Sequence, residues 1–255
     1  MKAKFMKAKF RMLCIVLLMG ISVWADDVWN FNVYGDCSKN GYHVGNKGME
    51  NGHEWINLGL PSGIKWASCN VGADTPEGYG TYFSWGGVKS QAIYGSTTYP
   101  HYECVDYGRA TIWDGYTKYC SSSNNGYCGF TDTLTSLDLD DDAAYKNWGT
   151  SWRMPTDEEW DELLNNCTWT WTTQNNVNGY LVTSNTNSNS IFLPAAGYRD
   201  DNFPNGLYYV GELCSYWSSS LCEDNLSMAW CMDSSNLEVR GHYRHRGCSV
   251  RSVCP

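Results

Sequence analysis

Arg153 to Cys167 reads RMPTDEEWDELLNNC, and the reading of this stretch decides the fold. Thr156 stands three residues before Glu159, a Thr-x-x-Glu pattern. There the hydroxyl accepts from one free amide at a helix start and the glutamate reaches back to another. Asp157, Glu158 and Glu159 place three acids on the positive end of the helix dipole. Trp160, Leu163, Leu164 and Cys167 follow at i, i+3, i+4 and i+7, one apolar stripe. The spacing predicts a helix beginning at Asp157, with Trp160, Leu163 and Leu164 in the core. Glu158 and Glu159 point in different directions on such a helix, so capping accounts for them better than paired acid–base catalysis.

Downstream the period shortens. Residues 191–199 (IFLPAAGYR) form an apolar strand running into a turn. SYWSSSL, SMAWCM, NLEVR and CSVRSV are then short runs split by turn residues such as Asp233-Ser234-Ser235, an antiparallel meander. Upstream, residues 53–73 (HEWINLGLPSGIKWASCNVGA) read as a strand, a Leu60-Pro61-Ser62-Gly63 turn and a second strand. Residues 85–130 are rich in Gly, Ser, Tyr and Asn and read as loop. These readings predict an α+β domain over residues 53–255, with an antiparallel C-terminal sheet, few helices and long loops. Residues 26–52, Gly/Asn-rich and weakly patterned, read as an N-terminal leader.

The first 25 residues read as a signal peptide. Lys2, Lys4, Lys7, Lys9 and Arg11 precede an apolar run from Met12 to Val23, and Val23-Trp24-Ala25 suits cleavage after Ala25. The run is short for a membrane span, so the reading is an exported product: periplasmic, cell-surface or secreted, with no transmembrane span in its mature part. The chain of 255 residues carries a formal charge of −9. Removing the signal takes away five cations and no acid, which disfavours nucleic acid as a partner. Of 12 cysteines, one (Cys14) leaves with the signal, so at least one thiol stays unpaired. No CxxC occurs, which points away from structural zinc.

Two clusters raise the question of a metal. Asp138, Asp140, Asp141 and Asp142 offer hard carboxylates to calcium, but without the EF-hand glycine or glutamate. The alternative is an acidic loop capping a short helix over DDAAYKNW. In GHYRHRG, residues 241–247, His242 and His245 invite a metal, yet Gly241 and Gly247 oppose a helix that would align them. Arg244 and Arg246 would also repel a cation, so no metal ligands are assigned there.

HEWINLGLPSGIKWASCNVGA, DLDDDAAYKNWG, SWRMPTDEEWDELLNNCTWTW, FLPAAGYRD and YWSSSL with AW and SVRSV together resemble the Fibrobacter succinogenes major paralogous domain. That family is common in exported proteins of gut Bacteroidetes. The resemblance covers residues 53–254 and implies a C-type-lectin-like fold, similar to formylglycine-generating enzymes, in which the N- and C-terminal strands pair. It further implies that Cys167, at the helix end, and Cys254, in the last strand, approach closely enough to bond.

Proteins of this fold include variable products of diversity-generating retroelements, in which adenine scrambling turns AAC codons into any NNC codon. Cys222, Ser227, Cys231, Asp233, Arg240, His242, Tyr243, His245 and Cys248 all belong to the NNC set. They sit among framework residues Trp217, Trp230, Val239 and Val250. The resemblance therefore implies a ligand-binding module whose contact surface spans residues 222–248, exposed at the variable positions. Its partner would be a protein or glycan on another cell or on a phage surface. It implies no catalysis and no cofactor. The alternatives are a copper-dependent oxidase related to formylglycine-generating enzymes, and a structural surface protein. The oxidase would use Cys248 and Cys254, but extended strand geometry places those residues about 20 Å apart.

Overall fold

The computed structural model describes residues 45–107, 110–201 and 206–255; the signal-peptide reading of residues 1–25 lies outside them. The first sheet is built from both ends of this span. β1 (Lys47–Glu50) pairs with β2 (His53–Ile56), β2 with β3 (Lys65–Ala67), and β3 with a strand at Val253–Cys254. The hairpin expected around Leu60-Pro61-Ser62-Gly63 is therefore present, and the two ends of the domain pair. β1 falls in the stretch read as leader, so the sheet begins ahead of residue 53.

β4 (Tyr102–Tyr107) and β5 (Ala110–Tyr116) form a hairpin within the stretch read as loop. Next comes α1 (Ala143–Trp148). Asp142 caps it by accepting from Ala144 N at 2.8 Å and Tyr145 N at 3.0 Å. Its second oxygen takes the Met154 amide at 2.8 Å, tying α1 to the approach of the next helix.

That helix, α2 (Asp157–Asn166), has the expected capping box: Glu159 N donates to Thr156 Oγ1 and Thr156 N to Glu159 Oε2. Trp160 and Leu163 are fully buried, while Leu164 is half-buried against the same core. Thr156→Ala removes one arm of the box and should lower stability by about 1 kcal/mol in urea unfolding. An unchanged midpoint would mean the cap is dispensable.

β6 (Cys167–Gln174), β7 (Val177–Ser184) and β8 (Ser190–Pro194) follow as an antiparallel sheet. Asn175 and Asn176, with φ of 48° and 65°, make the two-residue turn that matches strand twist. β9 (Tyr198–Arg199) pairs with β10 (Leu207–Tyr208). β11 (Ser215–Leu221), β12 (Met228–Asp233) and β13 (Glu238–Tyr243) form the predicted C-terminal meander, and β14 (Val253–Cys254) returns to β3. The chain is thus a mainly antiparallel α+β domain. No helix among the described residues is long and apolar enough to cross a membrane.

The β11–β13 sheet separates two cores. Tyr216 and Met232, paired across strands, face the side of α2, where Trp160 meets Trp66 at 4.7 Å and Tyr216 at 5.7 Å between ring centroids. Trp217 and Cys231, the next pair, face a second core with Phe83, Trp85, Trp152 and Val250. Strand alternation produces this division. Arg251 crosses the interior fully buried. Its guanidinium donates to Asn70 Oδ1 at 2.9 Å, Ala67 O at 3.0 Å and Phe192 O at 2.8 Å.

Cys167 and Cys254, expected to approach closely enough to bond, are both free thiols. Cys167 opens β6 opposite Ser184 and packs with the α2 core, whereas Cys254 pairs with Lys65 and packs in the other core.

Candidate ligand-binding face and a buried Cys–His–Cys cluster

The segment that ends β13 alternates sharply between inside and outside. Tyr243 is 41% exposed, Arg244 is fully buried, and His245 and Arg246 are half-buried. Gly247 then bonds in both directions with the Arg199 backbone, at 2.7 and 2.9 Å. A Cβ on Gly247 would sit 2.7 Å from the Tyr94 ring, so only glycine permits this close approach. The contact carries β9 and β10 up against the segment.

A continuous aromatic and cationic ledge results. The Tyr243 and His245 rings stack at 5.5 Å and 13°, and those of Tyr198 and Tyr208 at 5.3 Å and 13°. The Arg246 guanidinium lies between the two pairs, 4.7 Å from the Tyr198 centroid and 5.3 Å from that of Tyr243. It is fixed by Nε donating to Asp200 Oδ2 at 2.8 Å, a carboxylate that is itself buried. Tyr209, at 55% exposure, with Leu207 and Val210, extends the apolar margin. Stacked rings held by a salt-bridged arginine offer contact area that needs little further ordering.

Inward from the ledge the segment is polar and buried. Arg244 donates to Tyr119 O at 3.2 Å and lies 3.7 Å over the Tyr116 ring, with Tyr99 and Trp85 within 6 Å. His242 is almost fully buried, edge-on to Tyr198 and Trp217, and its Nε2 donates to Asp233 Oδ2 at 2.9 Å. Asp233 also accepts from Ser235 N at 2.8 Å. Burial alone would raise the Asp233 pKa, but these donors hold it at about 2. Burial alone would likewise lower that of His242; Asp233 and Cys248 instead raise it to about 9.

Cys231, His242 and Cys248 converge, with one ligating atom of each within 4.8 Å of the others. Burial opposes charge on Cys248, but hydrogen bonds from Cys231 and His242 and the charges of His242 and Arg246 bring its pKa down to about 6. The Cys231 thiol is pushed up, first by burial and then by Cys248. Cys231 and His242 thus both turn toward the Cys248 sulfur. Neither sulfur has exposed surface.

The structure thus divides the nine residues assigned to a variable surface. Arg240 and Tyr243 are exposed, and Ser227 and His245 half-buried. Cys222, Cys231, Asp233, His242 and Cys248 are buried, against the expectation of exposure. The reason is the register: Cys231 stands opposite Trp217, and His242 opposite the buried Ala229, on the inner face of the sheet. Among the framework residues, Trp217 and Val250 are core and Val239 half-buried, but Trp230 is only half-buried because it faces Gly241, which offers no side chain to pack on.

The four aspartates do not converge on an empty centre. Asp141 Oδ2 takes Lys118 Nζ and Tyr119 OH at 2.6 Å, Asp138 takes Lys118, Asp140 takes Lys146, and Asp142 caps α1. Cys254 stays with Lys65 in β14 and is not part of the group formed by Cys248.

Sequence reading missed Cys231–His242–Cys248 as a unit because the residues come from two strands and a loop. His242 had been paired with His245, which lies on the other side of the turn. No family model, no curated protein and no solved structure matches the chain.

Proposed function

We propose that the protein is an exported ligand-binding module of C-type-lectin-like fold, belonging with the Fibrobacter succinogenes major paralogous domains. Its ligand face is the ledge of Tyr243, His245, Arg246, Tyr198 and Tyr209, with Arg240 earlier on the same strand as Tyr243. The observation that carries this reading is the pair of stacked ring couples bracketing Arg246, exposed at Tyr243 and Tyr209. Flat rings beside a fixed cation suit sugar faces and protein side chains alike, which fits a glycan or protein on another cell or a phage. Cys248, the thiol brought low by its neighbours, and Cys231 beside it have no surface a substrate could reach, which supports binding over catalysis. If a retroelement diversifies the segment, tolerance belongs to Ser227, Arg240, Tyr243 and His245, since the buried members have partners to lose.

The test is a panel of defined oligosaccharides and purified cell-surface proteins, screened with the wild type and with Tyr243→Ala. Any panel member retained by the wild type should be bound at least about 10-fold more weakly by the variant, as for an aromatic hot spot. Its thermal midpoint should hardly move, because the ring is exposed. Equal retention by both proteins, or no retention of any panel member, would overturn the assignment of this face.

A further inference from the structure

Cys231, His242 and Cys248 form a donor set that the ligand face does not use. We propose that they are a binding site for a soft monovalent d10 cation, Cu(I), held by two thiolates and the imidazole Nδ1. The inference stands apart from the ligand face and survives its failure.

Three observations carry it. The donors already lie together, within 4.8 Å of one another, so little rearrangement separates the empty from the filled site. Nε2 of His242 is committed to Asp233, which leaves Nδ1, a buried nitrogen, for the sulfurs. A carboxylate on the far nitrogen of a ligating histidine fixes the ring and its tautomer, the common outer arrangement of metal-bound imidazoles. Finally, the donors are two sulfurs and one nitrogen, which select a soft metal. Zinc takes four ligands, the fourth often water, and here no fourth His, Cys, Asp or Glu among the described residues joins the group and neither sulfur has exposed surface. Three donors in a closed site suit Cu(I).

Binding is a ligand exchange without electron transfer. Cu(I) takes the place of the protons that the two sulfurs and Nδ1 carry, and those protons leave to solvent. The Nε2 proton remains on its bond to Asp233. The filled site bears one net negative charge, and Arg246, whose charge already acts on Cys248, lies close by.

The experiment is an anaerobic titration of the reduced full chain with Cu(I) against a chromogenic Cu(I) chelator, followed by ultraviolet thiolate-to-copper absorption and by proton release. The wild type should bind one tight equivalent that Cys231→Ser/Cys248→Ser lacks, with release of protons. Asp233→Asn keeps all three donors and should bind about 10–100-fold more weakly. X-ray absorption on the filled wild type needs no variant to fold, and should show two sulfurs and one nitrogen. Four outcomes would overturn the proposal: an equivalent that persists in the double variant, sulfur-only coordination, a site that takes Zn(II) and refuses Cu(I), or a Cys231–Cys248 disulfide that resists reductant.

Discussion

Arg251→Ala should lower the stability of the domain by roughly 3–6 kcal/mol, read as a large fall in the urea midpoint. The substitution strands three buried acceptors, Asn70 Oδ1, Ala67 O and Phe192 O, which the guanidinium fork now satisfies at 2.8–3.0 Å. Each unsatisfied buried acceptor costs about 1–3 kcal/mol. The charge itself is no asset at this depth; what matters is that one planar group reaches three elements at once. Arg251→Met separates the two effects, because it restores much of the packing and none of the bonds. Its loss should be nearly as large as that of Arg251→Ala. If methionine recovers the wild-type midpoint, the side chain matters for its volume and the bonding account is wrong.

Trp160→Ala should cost about 3–5 kcal/mol. The indole is fully buried between Trp66 and Tyr216, and its Nε1 donates to Trp217 O at 3.2 Å, so truncation opens a cavity and frees a carbonyl together. Leu164→Ala, one turn further along α2, removes a half-buried side chain and should cost clearly less. The comparison in one urea series reads out which face of the helix the core uses. Equal losses for Trp160 and Leu164 would mean that the stripe is centred elsewhere.

Elements carrying their own local chemistry were legible in the sequence. Thr156 and Glu159 mark the start of α2, the apolar stripe marks its buried face, and Leu60-Pro61-Ser62-Gly63 marks the hairpin. The β6–β7 hairpin was equally readable, from Thr/Trp alternation and the Asn175-Asn176 turn, but was not assigned. β4 and β5 lay hidden in Gly- and Tyr-rich sequence, where no run of β-branched residues announces a strand.

The site was legible only in part. Arg240 could be placed outside because it repeats Glu238 two residues on, and Tyr243 because it ends the strand. His242 and Asp233 could not be placed inside, because a buried ion pair looks like two surface residues until the register shows that they share one face. The Cys167–Cys254 pairing was taken from resemblance alone, with no local pattern in the sequence to support it. Proximity depends on which strand each motif joins.

One feature of the first sheet bears on how the chain gets to this structure. Its last strand adds to β3, and 190 residues separate Lys65 from Pro255. An encounter between such distant segments comes late and slowly, since the entropy of closing the loop must be met before any pairing repays it. Until it happens, Trp66 lacks its neighbour Val253, and the Arg153 backbone lacks the two hydrogen bonds it exchanges with the same residue. The final strand therefore acts as a latch. A chain truncated before Val253 would keep most of its contacts on paper, yet would leave an aromatic core open along one edge and spend its life as a folding intermediate.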